Sequence, residues 1–212
     1  MPRTLLVLVL MLLSTAALLP AAKPLDLYFV DVEGGQATLI VTPSGQSVLV
    51  DAGWRGFDGR DADRIKAAAK AAGVKKIDYL LVTHYHLDHV GGVPQFAAKM
   101  PVVNFVDKGP LQEESKQTLE LVKAYEEAVG KGNRIKVAAG DKLPVKGIGI
   151  QFLCSAGDLI SAPLSGAGQP NPLCGSEAKK ALDTSENGRS AGFLLTFPPV
   201  FDIFVNMLKP KA

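Results

Sequence analysis

Beyond residue 24 large apolar and polar residues alternate, and the alternation is broken at short intervals by turn residues. Leu25 to Val32 reads as a strand, Glu33-Gly34-Gly35-Gln36 as a turn, and Ala37 to Val41 as a second strand. Thr42-Pro43-Ser44-Gly45 is a tight turn before a third strand, Ser47 to Asp51, so the three predict an antiparallel meander. The period then lengthens. Ile65, Ala68, Ala69 and Ala72 form an apolar stripe on a helix that Asp61 or Asp63 would cap and Gly73 would stop. Tyr79 to Val82 is a continuous apolar run, the mark of a buried strand. A short helix over Val93 to Met100 and a strand over Val102 to Val106 follow. The strongest helical period lies over Glu113 to Val129, with Thr118, Leu121, Val122, Tyr125, Ala128 and Val129 on one face and Glu113 and Glu114 favouring its start. Ile135 to Val137, Ile148 to Cys154 and Ser190 to Phe197 read as further strands. Ser155 to Arg189, rich in proline, glycine and serine, reads as one long loop, a kind of segment that is usually functional or disordered.

The chemistry sits where the central strand ends. Thr83-His84-Tyr85-His86-Leu87-Asp88-His89-Val90-Gly91-Gly92 holds all three histidines of the chain with an aspartate among them. In extended backbone residues two apart share a side, so His84 and His86 can converge on one ion. Asp88 and His89 are adjacent, and a tight turn would aim them at a second, neighbouring ion. Neutral imidazoles and a carboxylate suit zinc. Two such ions, roughly 3.5–4 Å apart, can together polarise a substrate oxygen. Asp51 ends the third strand beside Gly53. An aspartate there can cap backbone amides of its own loop. Trp54, in the loop Gly53 to Gly59, either packs over the core or meets substrate.

His84-x-His86-x-Asp88-His89 at a strand end, followed by Gly91-Gly92, resembles the metal-binding signature of the metallo-β-lactamase fold superfamily. Phe29 to Ile40, Pro43-Ser44-Gly45 and Leu49-Val50-Asp51-Ala52-Gly53 are similar to the start of its ComEC-like branch, which carries Gly-Gln-Gly-Asp where this chain has Glu33-Gly34-Gly35-Gln36. The resemblance covers roughly residues 25–197 and implies an α/β fold, an αββα sandwich of two similar halves. It implies Zn2+ as cofactor, two ions per complete site, with His84, His86, Asp88 and His89 as ligands and Asp51 behind them, orienting a ligand histidine unless it only caps its own loop. Asp88 would also serve catalysis by orienting the attacking water towards an ester, amide or phosphoester. The family's second half supplies further ligands, including a bridging aspartate after the strand resembling Ala191 to Phe197. Here Pro198-Pro199 follows, Asp202 is the only carboxylate of the tail, and no histidine lies beyond His89. The reading is therefore of a first half complete and a second half largely missing. A truncated hydrolase, a domain completed by a partner chain, an inactive remnant or a metal-binding interaction domain would each fit, with one ion or none held by this chain alone. The tail after Pro198-Pro199 is expected to leave a sheet edge unpaired.

Length and composition narrow the class. A chain of 212 residues suits one domain, and 47% hydrophobic with 21% charged residues describes a globular protein. The net charge of +2 comes with no basic run, which counts against a nucleic-acid substrate and a DNA-processing role. Residues 1–22 have the layout of a secretory signal peptide: Arg3, an apolar stretch from Leu5 to Leu19, then Ala21-Ala22. That predicts export to a periplasmic or extracellular setting, with membrane contact only through this segment, a domain over 25–197 and a divergent tail over 198–212. In an oxidising compartment Cys154 and Cys174 are expected to pair, worth about 3 kcal/mol on the chain-entropy model. The competing expectation is a thiolate serving as a metal ligand.

Overall fold

The structure, a computed structural model, describes residues 23–130, 132–167, 181, 183–197 and the backbone of 201–205. Two sheets lie face to face. The first has six strands in sequential order: β1 (Asp26–Phe29), β2 (Thr38–Val41), β3 (Ser47–Val50), β4 (Ile77–Val82), β5 (Val102–Asp107) and β6 (Asn133–Lys136). β1 to β3 are the expected antiparallel meander, and β3 to β6 run parallel. The second sheet is formed by β7 (Lys142–Leu143), β8 (Gly149–Ser155), β9 (Asp158–Leu159), β10 (Gly192–Phe197) and β11 (Phe201–Val205).

Parallel strands need crossovers, and these supply the helices. α1 (Arg60–Ala71) and α3 (Val93–Ala97) precede β4 and β5, α2 (Leu87–Val90) is a single turn after β4, and α4 (Lys116–Val129) precedes β6. Ile65, Ala69, Phe96, Leu121 and Tyr125 pack with Leu39, Leu49 and Leu80 on the outer face of the first sheet. The other face of β2 to β5, with Ile40, Val48, Val50, Leu81 and Val106, meets Ile150, Phe152, Phe193 and Leu195 of the second sheet. Strand side chains alternate between faces, so one strand feeds both cores. Among the described residues the helices lie on the first half only, giving three layers of the four-layer sandwich.

The structure corrects several expectations. Neither Asp61 nor Asp63 caps α1. Its N-cap is Gly59 at φ 80°, and the buried Asp61 carboxylate accepts from Trp54 N at 2.8 Å and Arg60 Nε at 2.7 Å. α4 starts at Lys116, because Ser115 and Thr118 form a reciprocal capping box; Glu113 and Glu114 stay outside it. The long loop carries β9 after a two-residue turn at Ala156-Gly157 and a 3-10 turn at Asn187–Arg189. The edge of β10 is not open, since β11 pairs with it antiparallel from Phe193↔Val205 to Phe197↔Phe201. Cys154 has a free thiol beside Ser190 O, and Cys174 lies outside the described residues. So do residues 1–22; among the described residues no helix is long and apolar enough to cross a membrane.

Candidate active site

Register aligns the strand ends. Val50 faces Leu81, Leu81 faces Val106 and Val82 faces Asp107, so Asp51, Thr83 and Asp107 emerge at one level where the parallel strands finish. The carboxyl ends of parallel strands are where open α/β sheets place their ligands. The chain turns over this edge as a compact knot. Ala52 N donates to His89 O, Gly53 N to Gln36 O, Gln36 N to Asp88 O and Gly92 N to Gly53 O, all at 2.9–3.0 Å. A Cβ on Gly92 would collide with Ala52 O, and one on Gly91 with Leu87 O; one on Gly35 would lie 2.7 Å from Asp88 O. These glycines are required by close approach of backbone, not by unusual φ. Trp54 is half-buried against Gly35, and its buried indole Nε1 has no hydrogen-bond partner.

The knot gathers the histidines. The His84 ring centroid lies 4.9 Å from that of His86 and 4.0 Å from that of His89. The shared side of His84 and His86 follows from the extended backbone. His89 joins them because α2 begins immediately after His86, its N-cap, and swings His89 back beneath His84. Asp88, in the first turn of α2, brings Oδ2 to 3.5 Å from His89 Nε2.

Asp51 sits at the base, fully buried, with φ 58°, a left-handed conformation that aspartate tolerates better than most residues. It does both things the sequence left open. Its carboxylate accepts from Thr83 N at 2.8 Å, Thr83 Oγ1 at 2.7 Å and His89 Nδ1 at 2.8 Å. These bonds fix where the protons are. An ionised carboxylate only accepts, so His89 carries its proton on Nδ1 and keeps a lone pair on Nε2. The Thr83 hydroxyl spends its only hydrogen on Asp51. It therefore accepts from His84 Nδ1, 3.1 Å away, and leaves the His84 lone pair on Nε2. That Nε2 is buried and makes no hydrogen bond. Burial, reinforced by His89, pushes the His84 pKa down to about 4, so the ring is neutral at neutral pH.

Lone-pair nitrogens and a carboxylate facing one another, with one nitrogen buried and unpartnered, suit a divalent cation in kind. They are not yet arranged as a closed shell: among the described residues no three such side chains surround a single point as an ion would need. His86 is held aside, with Nδ1 3.1 Å from Asn187 Oδ1 and Nε2 3.4 Å from Glu113 Oε2.

Three of these neighbours were not legible as site residues. Glu113 falls inside the helical period of the sequence; the Ser115-x-x-Thr118 capping pair is the signal that puts it just before the helix. Asn187 and Glu186 lie in the serine-rich loop and reach the site only through the fold. Glu186 is fully buried. It takes Lys108 Nζ at 3.1 Å and the amides of Gln112 (2.7 Å), Glu113 and Tyr85 (both 3.3 Å), while its own N–H donates to Glu113 Oε2 at 3.1 Å.

Two layers of sheet with helices outside the first, and a histidine-aspartate knot at the carboxyl edge of the parallel strands, define an α/β sandwich with its candidate site at one sheet edge. A family model of the metallo-beta-lactamase superfamily matches residues 30–168, and the chain belongs to that superfamily. It is 31% identical over 98 residues to a hydroxyacylglutathione hydrolase of Stenotrophomonas maltophilia, across 46% of this chain and 32% of that protein. Its fold is like those of two solved metallo-beta-lactamases. One, from Cronobacter sakazakii, has a TM-score of 0.51 at 16% identity over 83% of this chain and 59% of that one. The other, from Elizabethkingia meningoseptica, has a TM-score of 0.50 at 19% identity over 87% and 62%. The chain thus spans about a third of that curated relative and about three-fifths of these solved ones.

Proposed function

We propose that this chain is the zinc-binding part of an exported hydrolase of the metallo-β-lactamase superfamily, from its ComEC-like branch, acting on a small ester, thioester, amide or phosphoester. The observation that carries the reading is the buried, unpartnered Nε2 of His84 among converging imidazoles. His84, His86, Asp88 and His89 would hold the metal. The chemistry a divalent ion supplies there is activation of water at neutral pH and polarisation of the scissile oxygen. Asp51 keeps the proton of His89 on Nδ1, Thr83 does the same for His84, and Asp88 would accept a hydrogen bond from the attacking water. Arg55 and Phe57 are exposed in the loop tied to Gly92 and would border the approach for substrate. The relative named for hydroxyacylglutathione makes acyl thioesters the first substrates to try. In this reading any second ion draws further ligands from outside the chain's three histidines, by way of a partner chain or additional sequence.

The test is zinc content and affinity of the purified chain beside a screen of ester, thioester and phosphoester substrates. About one bound ion per chain, abolished by His84→Ala and accompanied by turnover, is the expected result. Zinc without turnover would leave a metal-binding interaction domain, and no zinc at all would sink the reading. Cleavage of the first 22 residues on secretion checks export.

A further inference from the structure

Two of the three histidines are braced through Nδ1 by Asp51 and Thr83, but neither of these touches His86. Its ring lies between Asn187 and Glu113. A carboxylate can only accept, whereas the Asn187 amide can accept through oxygen or donate through nitrogen. A neutral ring able to ligate an ion, with no two acceptors opposed, therefore carries the His86 proton on Nε2, towards Glu113 Oε2. Nδ1 then holds the lone pair; in the metal-free chain the Asn187 amide nitrogen donates to it, a contact that an ion would displace. A 3.4 Å separation is longer than the roughly 2.7–2.9 Å of a charge-assisted hydrogen bond. Such contacts are often loose in an unliganded site and tighten when the partner arrives.

Glu113 is unusually well fixed for a residue outside regular structure. The capped start of α4 follows two residues on, and Glu186 binds it from both directions: the Glu186 carboxylate takes the Glu113 amide, and the Glu186 amide donates to the Glu113 carboxylate. Glu186 is itself held by Lys108 in an ion pair with both side chains fully buried. Burying such a pair is costly and contributes little net stability, so it is better accounted for as a fixture. What it fixes is the 107–113 segment and the 183–190 segment against the face of His86.

We propose that Glu113 is a positioning residue for the metal site: it holds His86 by Nε2–H, as Asp51 holds His89 by Nδ1–H, and so presents His86 Nδ1 to the ion. This rests on the metal reading given above. In the zinc-loaded chain, long-range 1H–15N NMR should show the His86 proton on Nε2, and that signature should be lost or averaged in Glu113→Ala. Zinc affinity by chelator competition should fall about 10–100-fold in Glu113→Ala, as is usual when a carboxylate behind a ligand histidine is removed. Glu113→Gln, which still accepts from both His86 and the Glu186 amide, should recover part of it, and Glu114→Gln should match the wild type. Thermal unfolding of the metal-free variants checks that the fold is kept. Equal zinc affinity in the wild type and Glu113→Ala, with His86→Ala strongly impaired, would overturn the role of Glu113 and leave the metal site standing. No zinc binding by the wild type would remove both. A sulfur-to-cobalt charge-transfer band in cobalt-loaded Glu113→Cys, absent from the wild type, would place this position in direct contact with the ion and overturn the positioning role.

Discussion

Asp51 and Asp107 make an instructive pair. Both are fully buried, both stand at the carboxyl ends of parallel strands, β3 and β5, that flank β4, and both collect hydroxyl and amide donors. Asp107 takes Tyr85 Oη (3.1 Å), Tyr125 Oη (2.9 Å) and the Gly109 amide (2.8 Å). Its charge is met by the Arg134 guanidinium, with Nε at 2.6 Å. The result is a closed unit: a cation balances the anion, and its outer edge is tied down by the Arg134–Glu126 pair at 2.8 Å. Burial and the Asp107 charge drive both tyrosine pKa values upward, so the phenols stay protonated as donors. Asp51 takes the same number of side-chain types but no lysine or arginine among the described residues; its ion-pair partner is His89. It leaves two lone-pair nitrogens facing inward. A buried carboxylate without a full counter-charge is expensive, and a cation on the far side of His89 and His84 would complete it. One aspartate finishes a piece of structure. The other is half of an electrostatic arrangement that a metal would close.

The largest expected effect lies on the closed side. Asp107→Ala removes the acceptor of the Tyr125 hydroxyl and the buried partner of Arg134 Nε, and should cost about 3–5 kcal/mol, the range for breaking a buried pair from one side. Urea unfolding measures it, and zinc bound per folded molecule should be unchanged. A loss under about 1 kcal/mol would show that the two aspartates do not differ in this way. Asp51→Asn should reverse the pattern: roughly 10–100-fold weaker zinc binding, with a stability loss near the ~1–2 kcal/mol of a disturbed hydrogen bond. Zinc affinity unchanged by Asp51→Asn would break the comparison at its other end. The smallest effect belongs to Glu186, which bridges the two regions. Burial works to raise its pKa, but the Gln112 amide, the Lys108 ammonium and the Tyr85 amide outweigh burial and hold it below the usual range. A carboxyl with a depressed folded-state pKa contributes stability above its unfolded value, about 4.3. That contribution is lost as pH falls through the folded value. The unfolding temperature should therefore drop below about pH 4.3 more steeply in the wild type than in Glu186→Gln; parallel curves would remove Glu186 from the account.

Residues 77–92 were readable in advance because their chemistry is local. Alternation, then an apolar run, then histidines two apart before a double glycine fix a buried strand ending in a ligand loop, and the glycines are needed for backbone contacts a few residues away. Asp51 was half legible, as a strand-end aspartate whose two possible duties turned out to be one set of bonds. Glu113 was misplaced by its helical surroundings, since an acidic residue before a helix looks the same whether it serves the helix or a neighbour.

What the sequence determined by itself is the donor set and the strand that carries it: spacing along one segment decides which side chains can share a side. Which carboxylate stands behind which imidazole was decided only by the tertiary structure. Asp51, Glu113 and Asn187 come from three separate parts of the chain, and they meet because parallel register brings β3, β4 and β5 to a common edge and the buried Lys108–Glu186 pair draws the 183–190 segment onto it. Hydrophobic pattern specifies that such an edge forms; it has no period that records who faces whom across it.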